Sequence, residues 1–427
     1  MPIKQTPLLW LVEHIARELD VACAVRHLAR KRHGVELEIR NVYYHAKELM
    51  QNADPQTVIL PFFYTTTDLA YDDYIATWPD AQYFNLSWEQ IHYNAHVTIK
   101  APSDDFARKK VIHHAWGDFG KDYLLSHGVP EDHIFLNGNP TYQLYLQPYA
   151  SYFTGREELA KRYGLDPAKK WIFFPENYRW AFVTQSKIDR WISRGAEASQ
   201  FLAMRKFCHD SLVLILQWCS ELAEEGKVEV VFRPRPATNT AQIAAFAAEH
   251  VGPLSPRLRI LKDESAREWI LASDTVVSSF STTMIEASIA GKEIAMVEPI
   301  ALPEALDCDF YQYIPRLVSR EEFLALGNSA TAGSSEQLRA WATAQMLACG
   351  DPIENLTTYI CRLASRQPAR RVSLLERLSP RPRPQRWIKD AATGKEKTYF
   401  NAATHEKDIF DQELVDRKTA RWAEILA

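Results

Sequence analysis

Short apolar runs recur along the first third of the chain, each followed by residues with helical spacing. They read LLWLV at 8–12, VELEI at 35–39, TVILPFF at 57–63, AQYFNL at 81–86, KVIHHAW at 110–116 and HIFLNG at 133–138. Runs this short, rich in β-branched and aromatic residues, predict strands, and the helical stretches between them predict the crossovers of a parallel sheet. From 140 to 168 the text turns aromatic and turn-rich (PTYQLYLQPYASYFTG), which marks a domain boundary. A second alternating series follows: WIFFPEN at 171–177, VEVVFRPRP at 228–236, RLRIL at 257–261, DTVVSSFST at 274–282 and EIAMVEP at 293–299. Two consecutive α/β halves are expected, over 1–150 and 151–335.

Beyond residue 335 the spacing of EQLRAWATAQMLACG and NLTTYICRLASR is helical, so 336–366 is expected to form closing helices that pack back on the first half. From Gln367 prolines alternate with arginines in QPARRVSLLERLSPRPRPQRW, which denies the backbone regular helix. Residues 367–427 are read as a poorly packed basic tail. It is either a solvated linker or a surface for an anionic lipid head group or acceptor, a peripheral contact at the inner face of the membrane.

Size and composition narrow the class. A chain of 427 residues exceeds what one core organises, and 46% hydrophobic residues suffice for two. A net charge of −4 argues against nucleic acid as a partner, because neutralising phosphates needs a strong basic surplus. Cys23, Cys208, Cys219, Cys308, Cys349 and Cys361 lack CxxC spacing and read as reduced core thiols. LLWLV is too short and too soon interrupted by charge for a signal peptide or a membrane span, so a cytoplasmic protein is expected.

The chemistry concentrates in SDTVVSSFSTTMIEASIAGKEIAMVEP, residues 273–299. A buried strand delivers the chain to the carboxyl edge of a sheet, where open α/β sheets place ligands. There Ser278, Ser279, Ser281, Thr282 and Thr283 bring hydroxyls beside helix N-terminal amides, a combination suited to a phosphate. Glu286, one turn on, suits the hydroxyls of a ribose, and Gly291 suits a helix C-terminus. Each also has an ordinary reading, since Ser and Thr cap helices and acids complement helix dipoles. Upstream, Arg233 and Arg235 follow a strand, with Pro234 and Pro236 holding the backbone extended; two guanidiniums on a stiff loop suit a diphosphate or a sugar acid.

The RPRP loop, the SSFST helix start and the following GKEI strand together resemble the C-terminal lobe of GT-B glycosyltransferases that use nucleotide-activated donors. They are similar to bacterial sialyl- and Kdo-transferases and to the polyol-phosphate polymerases of teichoic acid synthesis. In those relatives the loop reads HP. Arg235 stands here at the histidine position, which keeps a phosphate ligand and puts transfer by a histidine acid in question. The first half resembles surface-carbohydrate biosynthesis proteins through 11–34, SWEQI at 87–91, HAWGDF at 114–119 and LNGNP at 136–140, joined by FFPENYRWAF at 173–182. The resemblance implies a GT-B-like fold of two Rossmann-like domains with a cleft between them, an acceptor-binding first half and a nucleotide-sugar-binding second half. It also implies inverting transfer to a capsule or lipopolysaccharide acceptor, with a CMP-, CDP- or UDP-linked sugar as donor and no separate cofactor.

Transfer further needs a base for the acceptor hydroxyl. The expected bases are Asp118 in AWGDFG, whose glycines would admit substrate closely, and Glu89 beside Trp88. Glu13 and His14 end the first strand; with Arg17 they are expected to position donor or acceptor, as are Glu176, Asn177 and Arg179. Asp307 and Asp309 match a DxD spacing, but they lie beyond the last convincing strand, so a metal-free mechanism is expected. No GxGxxG, GxxxxGK(S/T) or GxSxG occurs, which removes support from hydride transfer, P-loop chemistry and hydrolysis. Two alternatives stand beside transfer: a nucleotide-sugar 2-epimerase of GT-B shape, and a noncatalytic carbohydrate-assembly subunit.

Overall fold

The computed structural model describes residues 4–68, 71–93, 100–193, 198–235, 238–328, 332–366 and 408–427. They fall into two compact units: Met1–Gln90 with Thr98–Leu144 and Ala344–Ala427, and Ile91–Val97 with Tyr145–Thr343.

The first unit is built on β1 (Lys4–Val12), β2 (Leu37–Asn41), β3 (Ala53–Leu60), β4 (Gln82–Asn85), β5 (Val111–Ala115) and β6 (Ile134–Leu136). They form one six-stranded sheet in the order β2-β1-β3-β4-β5-β6, every pairing parallel. Trp10 lies opposite Ile39 on one side and Ile59 on the other. Leu8 to Val12 are wholly buried, which is why the first strand reads as an unbroken apolar run. The chain winds from β1 outward to β2, then returns to β1's other flank as β3. The switch point of this sheet, where such folds place ligands at the strands' carboxyl ends, lies between β1 and β3.

The second unit repeats the plan with β7 (Trp171–Pro175), β8 (Glu229–Arg233), β9 (Arg259–Ile260), β10 (Thr275–Ser278), β11 (Glu293–Val297) and β12 (Arg316–Leu317). Its order, β12-β11-β10-β7-β8-β9, is the 3-2-1-4-5-6 winding of dinucleotide-binding sheets, with the switch point between β7 and β10. Gly291, at φ +71, turns the chain from the helix Thr283–Ile289 into β11. β12 is only two residues long, too short to leave a pattern in the sequence. Residues 91–93 join this unit from within the first half of the chain: the Tyr93 hydroxyl donates to Phe280 O at 3.1 Å.

The helix Pro352–Arg366 packs on β1, β3 and the helix Asp20–Leu28. LNGNP seats the approach to it. Asn139 N–H donates to Met346 O (2.7 Å), and Asn137 Nδ2 donates to Pro352 O (2.8 Å). The tail reading needs correction where it can be compared, since 367–407 lie outside the described residues. Gln412–Ile425 is a helix docked on Asp20–Leu28, with Val415 and Trp422 wholly buried and Lys418 paired to Asp20 at 2.7 Å. Its amphipathic period, with Val415 and Trp422 on one face, lies well beyond the proline-arginine stretch. The cysteine reading also changes in part: Cys23, Cys208, Cys219 and Cys361 are buried, Cys308 is partly so, and Cys349 is exposed. No helix among the described residues is long and apolar enough to cross a membrane.

Candidate functional site

Three strand ends define the carboxyl edge of the second sheet around its switch point. β7 runs out into Glu176 and Asn177, β8 into Arg235, and β10 into Ser279–Thr283. Glu176 is 3% exposed, and its carboxylate accepts the N–H groups of Tyr178 and of Arg235, the latter at 3.1 Å. Its own N–H donates to Arg233 O at 2.9 Å. Burial pushes this carboxyl's pKa up, while the two N–H donors and the Arg235 charge pull it back. Glu176 therefore braces the β7 and β8 loops against each other. Asn177 does the same across the switch point, donating from Nδ2 to Phe280 O at 2.6 Å. Arg235 is half-buried, with Glu176, Arg179 and Tyr93 among the charges and dipoles it feels. Arg179 is exposed and lies over the Trp180 ring, 5.2 Å from its centroid.

Arg233 requires a correction. It is the last residue of β8, 8% exposed, and its Nη2 and Nε donate to Glu264 O at 2.9 and 3.3 Å. It is thus held inside the sheet edge, and only Arg235 of the expected pair sits on the loop. The hydroxyl row changes too. Ser278 is wholly buried and donates to Pro175 O at 2.6 Å, stapling β10 to β7. Ser281 Oγ donates to Thr283 Oγ1 (3.0 Å) and accepts the Thr283 N–H (3.2 Å), closing a turn. Ser279 Oγ is buried without a partner among the described residues. Thr282 is the N-cap residue and makes no side-chain cap; it and Thr283 are partly exposed.

Glu286 accepts a hydrogen bond from the Tyr145 hydroxyl. Burial raises its pKa, and Tyr145 and the Arg267 charge oppose the rise. Arg267 in turn lies over the rings of Tyr145 and Phe153, at 5.4 and 5.1 Å from their centroids. Tyr145 and Arg267 were not expected here. The aromatic stretch that holds Tyr145 carried a signal, but it reads equally as a boundary.

In the first unit, the residues after β1 gather at the switch point. Arg17 is the hub: Nη2 meets Glu13 at 2.9 Å and Glu18 at 2.8 Å, and Nη1 meets Glu89 at 2.9 Å. Glu89 also pairs with Lys100. The Tyr43 hydroxyl, from the end of β2, donates to Glu13 Oε1 at 2.9 Å. Glu18 is wholly buried and accepts the N–H groups of Glu13 (2.8 Å) and His14 (3.3 Å), so it fixes the turn in which the others sit. His14 Nδ1 lies 2.9 Å from Asp408 Oδ2.

Asp118 stands apart, exposed at the first position of the helix Asp118–Ser126 and following β5, three strands along the sheet from β1. The glycines beside it do not open the backbone to substrate, which corrects that expectation. A Cβ on Gly117 would lie 1.9 Å from Gln345 O, and one on Gly120 would lie 2.5 Å from Gln90 Oε1. Both spaces are filled by the unit's own packing. Glu13, His14, Arg17 and Glu89 are thus brought together, as are Glu176, Asn177, Arg235 and the Phe280 carbonyl; the side chains of Asp118 and Arg233 join neither group.

No family model matches the chain, and no curated protein matches it. Solved structures do. The chain is similar to an S. aureus MnaA–UDP co-structure, with TM-score 0.51 and 10% identity over 86% of this chain and 99% of that one. It is also similar to a putative UDP-N-acetylglucosamine 2-epimerase from Listeria monocytogenes, at 0.51 and 12% over 87% and 99%. The wall teichoic acid polymerase TagF gives 0.52 and 11% over 85% and 89%. At such identities the likeness establishes the fold, which is the GT-B-like pairing of two Rossmann-like units expected from the sequence.

Proposed function

We propose that the protein is an enzyme acting on a nucleotide-activated sugar, and that it passes the sugar to a carbohydrate acceptor of the bacterial surface. The observation that carries this reading is the tie between Asn177 and Phe280 O across the second sheet's switch point, with Arg235 half-exposed beside it. A braced sheet edge with one guanidinium suits a leaving nucleotide phosphate, whose growing negative charge the cation neutralises. Glu286 and Tyr145 are assigned to the ribose, and Thr282 and Thr283 to a phosphate oxygen. The first unit supplies the acceptor half through Glu13, Arg17 and Glu89. Inversion and a capsule or lipopolysaccharide acceptor come with the sequence resemblance, and independence of metal with the late position of Asp307 and Asp309 in the chain; turnover unchanged by a chelator tests the last of these. Sialyl or Kdo transfer has no support in the structural likenesses.

A melting-temperature screen against CMP, CDP, UDP, GDP and their sugars tests the class, because a ligand of the folded state raises its melting temperature. One nucleotide is expected to do so. If none does, the reading fails.

Epimerisation is the second reading, favoured by likenesses to 2-epimerases. Incubating the bound donor with no acceptor separates the two, since a new sugar epimer then replaces transfer as the conclusion.

A further inference from the structure

The hub after β1 in the first unit carries an excess of negative charge. Arg17 directs Nε to Glu18 (3.1 Å), Nη1 to Glu89 (2.9 Å) and Nη2 to Glu13 and Glu18 (2.9 and 2.8 Å). Lys100, the second permanent cation, is held by Glu89. Glu18 accepts N–H groups only, from Glu13, His14 and Arg17, so no neighbour is left to take a carboxyl proton. It therefore stays ionised although burial pushes its pKa up. Three carboxylates thus stand against two cations. His14 and Asp408, 2.9 Å apart, add a neutral ion pair when the imidazole is protonated and one more negative charge when it is not. Both permanent cations are committed to carboxylates, whereas each carboxylate oxygen has two lone pairs and can still accept from a ligand.

Beside the hub lies an aromatic surface. Phe62 and Tyr64, just past the end of β3, are stacked with centroids 5.4 Å apart and planes 24° apart, and both are partly exposed. The Tyr64 hydroxyl has no hydrogen-bond partner among the described residues, and the ring lies in the field of Arg17, Glu13 and Asp68. We propose that the first unit takes an uncharged pyranose as acceptor and turns away acidic sugars, with Tyr64 as a specificity-determining residue. A pyranose offers C–H groups on its face and hydroxyls around its rim. The face packs on the Tyr64 ring, whose hydroxyl donates to the sugar, while rim hydroxyls donate to Glu13 and to the half-exposed Glu89. A carboxylate or phosphate on the sugar would meet the surplus carboxylates with no uncommitted cation to answer it. One unit charge at this range, in the dielectric of a protein surface, is worth about tenfold in affinity.

This inference rests on the acceptor role proposed above, so it is read on sugar binding, and the nucleotide screen stays a separate measurement. Saturation-transfer NMR titrations of the full-length protein compare the methyl glycosides of glucose and galactose with methyl glucuronide and methyl galacturonide. At least one neutral glycoside is expected to bind, and its uronide to bind about tenfold more weakly. Tyr64→Phe is expected to weaken the neutral sugar severalfold with the melting temperature unchanged, since the lost hydroxyl holds no neighbour. Glu89→Lys reverses the surplus and is expected to bring the uronide level with the neutral sugar. A uronide that binds wild type as tightly as its neutral counterpart overturns the inference, as does a wild type that binds neither. So does a Glu89→Lys protein that discriminates as before. In each case a nucleotide that still raises the melting temperature leaves the enzyme reading standing; if none does, that reading fails and takes the acceptor assignment with it.

Discussion

A guanidinium held inside a sheet edge by a carbonyl of its own unit is poorly placed to meet a phosphate on the neighbouring loop. Arg233 gives two N–H groups to Glu264 O, whereas the Arg235 backbone is pinned by Glu176 and its half-buried side chain belongs to the loop after β8. Arg235→Ala is therefore expected to weaken nucleotide binding by about 2 kcal/mol, roughly thirtyfold, with little loss of stability. Arg233→Ala is expected to lower the melting temperature instead. Calorimetric titration and melting of both variants check the contrast, and equal binding losses would remove Arg235 from its role. Two histidines give a second test. His113 and His114 are wholly buried on β5, and burial lowers each pKa to about 4. Between pH 6.5 and about 4 the unfolded chain binds protons that the folded chain does not. Each histidine then adds a loss of ~1.4 kcal/mol per unit of falling pH, absent above 6.5. The raised carboxyls of Glu176 and Glu286 act with the opposite sign as pH falls toward their unfolded values. The difference between wild type and His113→Gln isolates one histidine: the variant's urea-unfolding free energy should fall less steeply over that window. Parallel curves would contradict it. Positions such as Ser278–Thr283 and Glu13–Arg17 were legible because residue type and strand-end location agree. Which hydroxyl faces a neighbouring strand was not, because a serine that staples β10 to β7 is written with the same letter as one that binds phosphate.

At the scale of elements, close backbone approach explains motifs that looked chemical. Gly117 and Gly138 both meet the segment leading to Pro352–Arg366, where a Cβ would come within 1.9 Å of Gln345 O and 2.7 Å of Met346 O. Gly117→Ala is expected to cost about 2–3 kcal/mol, since backbone rather than a movable side chain must give way. Gly155→Ser, at an N-cap with nothing within 4 Å, is expected to stay within a few tenths of a kcal/mol. Thermal melting of the pair decides between this account and a site for substrate; a Gly117→Ala protein as stable as wild type but inactive would favour the latter. The HAWGDF text was legible as special, and its glycines were misassigned in kind; LNGNP stood out only through its family likeness. A glycine reports that something comes close, and the sequence does not say whether that is a ligand or a chain segment more than 200 residues away. The strands, by contrast, were found because burial on both faces forces unbroken apolar runs.

For the whole molecule, the last helix completes the first unit, and its largest buried side chain is Trp422. Trp422→Ala is expected to destabilise by about 3–5 kcal/mol. Urea unfolding followed by probes in each unit should show the loss in the first, and an unchanged midpoint there would contradict the docking. The proline-arginine composition concealed this element, because a compositional shift was carried past the point where apolar spacing resumes. The return of the chain also bears on how the protein is made. Tyr145–Thr343 is almost contiguous, so it can close as it emerges during vectorial synthesis. The first 144 residues must meanwhile wait with the apolar side of Asp20–Leu28 uncovered, which inverts the usual amino-to-carboxyl order of folding. A fragment of those residues expressed alone is expected to aggregate, and to be rescued when residues 344–427 are supplied on a second chain.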